Sequence, residues 1–196
     1  MKNLTFITGA ARSGKSILAE ELASKSGKPV FYFATMQVQS DDPEQVRRLD
    51  LHRIRRPQSW TTVDAPFDAH LLFPSTPSGA VVVFDCLSLY VTNLLIKNTQ
   101  DDVKVNDSAG GVTQANGDPY SREDDILLHI DLLLDSMQKR SDIEFIVVTN
   151  EVGWGIVPEY KLARAFRDVL GLSNQKIAAA SHQAYLCCSG LRVPLK

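Results

Sequence analysis

Leu4-Thr5-Phe6-Ile7-Thr8-Gly9-Ala10-Ala11-Arg12-Ser13-Gly14-Lys15-Ser16 sets the reading of this chain, and Ile17-Leu18-Ala19-Glu20-Glu21-Leu22-Ala23 continues it. An apolar run rich in β-branched and aromatic residues predicts a strand, and the last segment is built of helix formers. Between them, Gly9 to Ser16 fits G-x-x-x-x-G-K-[ST], a loop whose backbone N–H groups surround a phosphate chain at a helix N-terminus. Gly9, Ala10, Ala11, Arg12, Ser13, Gly14, Lys15 and Ser16 are therefore candidate nucleotide contacts. Lys15 is positioned for the β and γ phosphates, and the Ser16 hydroxyl for Mg²⁺.

The next apolar runs follow from this anchor. Val30 to Thr35 reads as a strand buried on both faces, and its end at Ala34, Thr35 and Met36 belongs beside the first loop, because ligands in open α/β sheets sit at strand carboxyl ends. Ala80 to Asp85 is a second such run closed by an acid. It reads as a Walker B strand, with Asp85 joining Ser16 as a candidate metal-site residue.

A helix is expected from the capping signal Asp41-Asp42-Pro43-Glu44 to about Ile54, since Pro57 disfavours helical geometry at Arg56. Glu44, Arg48 and His52 share one side of it, and Arg53, Arg55 and Arg56 follow at its end. A solvated charged face that suits the helix macrodipole is the ordinary explanation. A histidine inside an arginine cluster is also a candidate phosphate-handling group, because guanidinium forks bind phosphate oxygens bidentately.

Trp60 to Asp64 reads as a short strand, Phe67 to Phe73 as helix-like, and Leu87 to Ile96 as a helix. Lys97 to Asp118 is polar and Asn/Asp/Gly-rich, and is expected to be a flexible insertion within a single domain spanning 1–196. A helix from Ser121 to Lys139 and a strand from Glu144 to Thr149 follow, then the loop Asn150 to Gly155. Pro158 to Leu170 is expected as a helix stopped by Gly171, and Asn174 to Gln183 as a separate one. Ala184 to Cys188 reads as a buried strand and Leu191 to Lys196 as an edge. The alternation implies an α/β fold with a mainly parallel sheet and helices on both faces.

The bulk properties set limits. The 196 residues carry 21 Lys+Arg against 23 Asp+Glu, a net charge of −2, which gives no overall attraction to nucleic acid or acidic membranes. No apolar run approaches the roughly 20 residues that cross a bilayer, and no secretory signal opens the chain, so a cytoplasmic protein is expected. Cys86, Cys187 and Cys188 lack zinc spacing and read as reduced core thiols. His70, His129 and His182 read as structural or exposed.

Taken together, the motifs resemble one family closely, the bifunctional adenosylcobinamide kinase and adenosylcobinamide-phosphate guanylyltransferase of cobalamin biosynthesis. The residues that carry the likeness are Ile7 to Ser16, Tyr32-Phe33-Ala34-Thr35, Glu44, Arg48, His52-Arg53-Ile54-Arg55-Arg56-Pro57, Trp60, Asp85-Cys86-Leu87-Ser88-Leu89, Asn93-Leu94-Leu95 and Thr149 to Glu159. Leu162-Ala163-Arg164, Phe166-Arg167-Asp168, Gly171 and Asn174-Gln175 extend it. The resemblance implies a RecA-like P-loop NTPase fold, ATP or GTP as phosphate donor with Mg²⁺, and adenosylcobinamide and its phosphate as substrates. It implies GMP transfer from GTP through a guanylylated His52, and a homotrimer. Family nucleotide contacts fall on Gly9 to Ser16, Ala34, Thr35, Met36, Arg53, Ile54, Arg55, Arg56, Asp64 and Asp85.

Ala10 stands where the family usually has Gly, and Asp64 where it has Glu. From a different class, a RecA-like nucleic-acid-binding or nucleotide-switch protein would use Arg53 to Arg56 on polymer phosphates. The negative net charge and the lack of interleaved aromatics weigh against it.

Overall fold

The computed structural model describes residues 1–37, 56–101 and 119–196, without the side chains of 98–101 and 121. Among the described residues, seven strands form one sheet: β1 (Leu4–Gly9), β2 (Val30–Ala34), β3 (Thr61–Asp64), β4 (Val81–Asp85), β5 (Glu144–Val148), β6 (Gln183–Cys188) and β7 (Leu191–Pro194). The order is β3-β2-β4-β5-β1-β6-β7. Every pairing is parallel except β6 with β7, where the chain turns back through Ser189 and Gly190 to make an antiparallel edge.

The central strands alternate between two cores. Leu4 and Phe6 of β1, Val82 and Phe84 of β4, and Phe145 and Val147 of β5 face one side. Ile7, Val81, Val83, Ile146 and Val148 face the other. Both faces are apolar, as the near-continuous hydrophobic runs require. The first face is covered by α2 (Leu87–Asp101), α3 (Glu123–Lys139) and α4 (Lys161–Ala180), and the second, among described residues, by α1 (Lys15–Lys25). The alternation also fixes where Asp85 points: it follows Val81 and Val83 onto the α1 side.

Several boundaries differ from the sequence reading. Gly171 does not stop a helix: α4 runs unbroken from Lys161 to Ala180, because Val169, Leu170, Ser173, Asn174 and Ile177 keep one stripe buried through it. Tertiary burial overrides the roughly 1 kcal/mol propensity cost of one glycine. In place of a helix from Phe67 to Phe73 there are two short 3₁₀ turns, Ala69–Leu71 and Phe73–Ser75, because Pro74 sits at the start of the second and Asp68 has a left-handed backbone (φ 48°). α2 continues past Ile96 to Asp101. The helix expected from Asp41 to Ile54 and residues 102–118 of the polar stretch lie outside the described residues.

The thiols divide differently from the expectation of three core cysteines. Cys187 is buried and Cys86 partly so, while Cys188, on the other side of the pleat, is exposed.

Candidate functional site

β1 delivers the loop Ala10 to Gly14 to the carboxyl edge of the sheet, between β5 and β6. Two backbone positions make the turn: Gly14, at φ 100°, ends the loop as the N-cap of α1, and Arg12 adopts φ 57°. Gly9 admits no side chain, since a Cβ there would stand 2.2 Å from the Cys187 carbonyl oxygen. Ala10 has no positive φ, so the methyl that replaces the usual glycine is tolerated.

No side chain caps the first turn of α1 and no acid lies in it. Its orphan N–H groups and the positive end of its dipole are therefore available to an anion. The Ser13 hydroxyl is buried without a hydrogen-bond partner among the described residues. Lys15 is buried, and its ammonium donates to the Ala10 carbonyl at 2.7 Å, folded back over its own loop. Burial lowers the Lys15 pKa, opposed by the neighbouring Cys86, Asp85 and Cys187. An orphan hydroxyl, free amide donors and a desolvated ammonium fit the phosphates of a nucleotide. Ser16 and Asp85 are oxygen donors of the kind that holds Mg²⁺.

Asp85 sits on a network that sequence reasoning did not assemble. The Tyr32 hydroxyl donates to Asp85 Oδ2, and the Arg56 guanidinium carbon lies 3.4 Å from the Tyr32 ring centroid. Trp60 stacks on the same ring at 6.5 Å between centroids. Arg56 also reaches the Thr62 hydroxyl at 3.5 Å. Burial and the Asp85 charge push the Tyr32 phenol far above its ordinary pKa, so it stays protonated as a donor. A buried aromatic beside an acid in strand register was the available signal: Ala34 pairs with Asp85, which sets Tyr32 two residues back on the same face.

The ends of β2, β3 and β4 are locked together. The Cys86 N–H donates to the Thr35 hydroxyl at 2.7 Å, which in turn donates to the Cys86 carbonyl at 2.8 Å. Buried Asn93 of α2 donates to the Thr35 carbonyl at 2.7 Å and the Pro66 carbonyl at 3.1 Å. Ala34 and Thr35 are thus buried and rigid, Met36 is half-buried, and Asp64 is exposed at the end of β3, paired with Ala34.

On the other flank, Glu151 donates its N–H to the Gly9 carbonyl at 3.0 Å. Asn174 holds the start of that loop through its contacts with Thr149 and the Asn150 carbonyl. A cleft of about 390 Å³ opens there, lined by Ala10 to Ser13, Glu151, Val152, Trp154, Gly155 and Leu186 to Ser189. Gly9 to Ser16, Ala34 to Met36, Arg56, Asp64 and Asp85 thus share the carboxyl edge of the sheet. His52, Arg53, Ile54 and Arg55 lie outside the described residues.

A family model described as cobinamide kinase / cobinamide phosphate guanyltransferase matches residues 5–195. The chain belongs to this family. Among curated members, the bifunctional adenosylcobalamin biosynthesis protein CobU of Escherichia coli K12 is 38% identical over 194 residues, covering 98% of this chain and 99% of that one. CobP of Pseudomonas aeruginosa, of the same description, is 35% identical over 97% of this chain and 95% of its own. The fold is shared more widely. A type III secretion system ATPase superposes on 99% of the chain with a TM-score of 0.54 at 9% identity, although the chain spans only 58% of that protein. The likeness is one of fold, a mostly parallel sheet with helices on both faces.

Proposed function

We propose that this family member phosphorylates the hydroxyl of adenosylcobinamide with ATP or GTP. It then transfers GMP from GTP to the resulting phosphate through a guanylyl-histidine at His52, giving adenosylcobinamide-GDP. The observation that carries this reading is the Asp85–Tyr32–Arg56 network. It ties the last arginine of the His52-Arg53-Ile54-Arg55-Arg56 run to the acid beside the phosphate loop.

In the kinase step, the substrate hydroxyl attacks the γ-phosphorus, the bond to the bridging oxygen breaks, and the nucleoside diphosphate leaves. The protein's task is in-line positioning and charge neutralisation by the loop amides and Lys15. In the transfer step, a neutral His52 nitrogen attacks the α-phosphorus of GTP, a P–N bond forms, and pyrophosphate departs. The phosphate oxygen of the substrate then attacks the same phosphorus and breaks the P–N bond, freeing His52. Arginine cations beside His52 disfavour its protonation and offset the charge of the phosphate it approaches. Mg²⁺, when bound at Ser16 and Asp85, supplies charge neutralisation on the phosphate oxygens. The soluble arrangement proposed is a homotrimer acting in the cytoplasm.

GTP labelled at the α-phosphate should leave an acid-labile adduct on wild type and none on His52→Asn. An undiminished adduct in the variant removes His52 as nucleophile. Lys15→Met, assayed separately for each reaction, tells whether one phosphate loop serves both.

A further inference from the structure

Asp68, His70 and His129 come together on the sheet face opposite Asp85. Asp68 and His70 belong to the segment after β3, whose Ala65, Ala69 and Phe73 enter the larger core. His129 belongs to α3, three residues after buried Ile126 and four before buried Leu133, so it borders the packed stripe. Seven residues further along the same face, the Ser136 hydroxyl donates to the His70 carbonyl at 2.8 Å, fixing the 3₁₀ turn to α3.

One carboxylate oxygen of Asp68 and one ring nitrogen from each histidine lie within 4.8 Å of one another. His129 Nδ1 is 3.9 Å from Asp68 Oδ1, and the two imidazoles meet edge-on with centroids 6.3 Å apart. The Nδ1 atoms of His70 and His129 are both screened from solvent and make no hydrogen bond among the described residues. A simple Asp68–His129 ion pair does not account for this, because 3.9 Å is too long for a hydrogen bond and the pair leaves His70 Nδ1 unsatisfied among the described residues. Such orphaned buried nitrogens are costly, and a shared Lewis acid would satisfy the donors together.

We propose that Asp68, His70 and His129 bind one divalent transition-metal ion of the zinc type, apart from the nucleotide site, which staples the turn after β3 to α3. Two imidazoles and a carboxylate form a three-ligand set with a fourth position open to water. With metal–ligand bonds of about 2.0–2.1 Å, tetrahedral donors stand about 3.3 Å apart, so the three groups draw in by about an ångström. Asp68 and His70 flank Ala69 on one short turn, so that closure requires rotation of partly buried side chains rather than a shift of the sheet.

The test is Zn²⁺ titration of the full-length, chelator-stripped, reduced protein by calorimetry. Wild type should take up one equivalent that Asp68→Asn and His129→Gln each weaken by more than about 100-fold, beyond the 10–100-fold that loss of an outer-shell neighbour costs. Absence of uptake by wild type, or unchanged affinity in both variants, overturns the site. X-ray absorption at the zinc edge of loaded wild type decides the matter even where a variant folds poorly. Two imidazoles with oxygen support the proposal, and sulfur scattering assigns the ion to a cysteine and overturns it.

Discussion

Cys86 links Asp85 to the start of α2, with its sulfur 2.9 Å from the Ser88 hydroxyl. Burial, reinforced by the Asp85 charge, pushes its thiol up to about 11 from the usual 9.0. Between pH 9 and 11 the unfolded thiol has lost its proton while the folded one keeps it. The native state therefore binds more protons, and stability falls as pH rises through this window, by at most about 1.4 kcal/mol per pH unit. Below pH 9 the contribution is fully present. Lys15 acts with the opposite sign, since its lowered pKa makes the unfolded state the better proton binder below 10.5. Denaturant unfolding of wild type and Cys86→Ala across pH 8 to 11 isolates the thiol: the gap between the two should shrink as pH rises, and a constant gap would place the thiol in an ordinary environment.

Among the helices, α4 carries a glycine that nothing requires. Gly171 has no positive φ, and a Cβ built there meets no atom within 4 Å. Gly171→Ala should therefore stabilise the protein by about 0.5–1 kcal/mol through lower unfolded-state entropy and better helix propensity. At this chain length that is a rise in melting temperature of roughly 1–4 °C. A fall would mean that neighbouring chains need the open space.

The end of α3 has the reverse character. Arg140 donates to the carbonyls of Phe73, Pro74 and Thr76 and forms a fork with Asp142, tying the second 3₁₀ turn to the helix. Arg140→Met should cost about 1–3 kcal/mol by leaving those carbonyls unpaired. Arg140→Lys should recover little, since one ammonium does not reproduce a five-donor fork. Equilibrium unfolding in urea measures both.

Taken as a whole, the molecule is asymmetric. Among the described residues, the loop beside the cleft leaves Trp154 79% exposed, Ile156 96% and Tyr160 74%, with Val157 and, on the first turn of α4, Leu162 also exposed. Exposed apolar side chains concentrated in one segment mark an interaction surface. The proposed trimer places a neighbouring subunit there. Ile156→Asp should then shift the sedimenting species from three chains towards one, with the far-ultraviolet spectrum unchanged. A species of unaltered size would move the subunit contact elsewhere.

The fold class could be read from the chain because it rests on local patterns. A glycine-bounded loop between a strand and a helix, and apolar runs of strand length closed by Thr35, Asp85 and Thr149, force a parallel sheet with its ligand edge at the carboxyl ends. The positions of Gly9 to Ser16 and Asp85 followed from that alone. What the pattern left open depends on contacts between segments far apart in sequence. Burial of one stripe carried α4 through Gly171, strand register set Tyr32 between Asp85 and Arg56, and packing of the turn after β3 on α3 brought His129 to Asp68 and His70. Local sequence encodes backbone preference and periodicity, whereas these juxtapositions arise only when long-range burial sets the distances between elements.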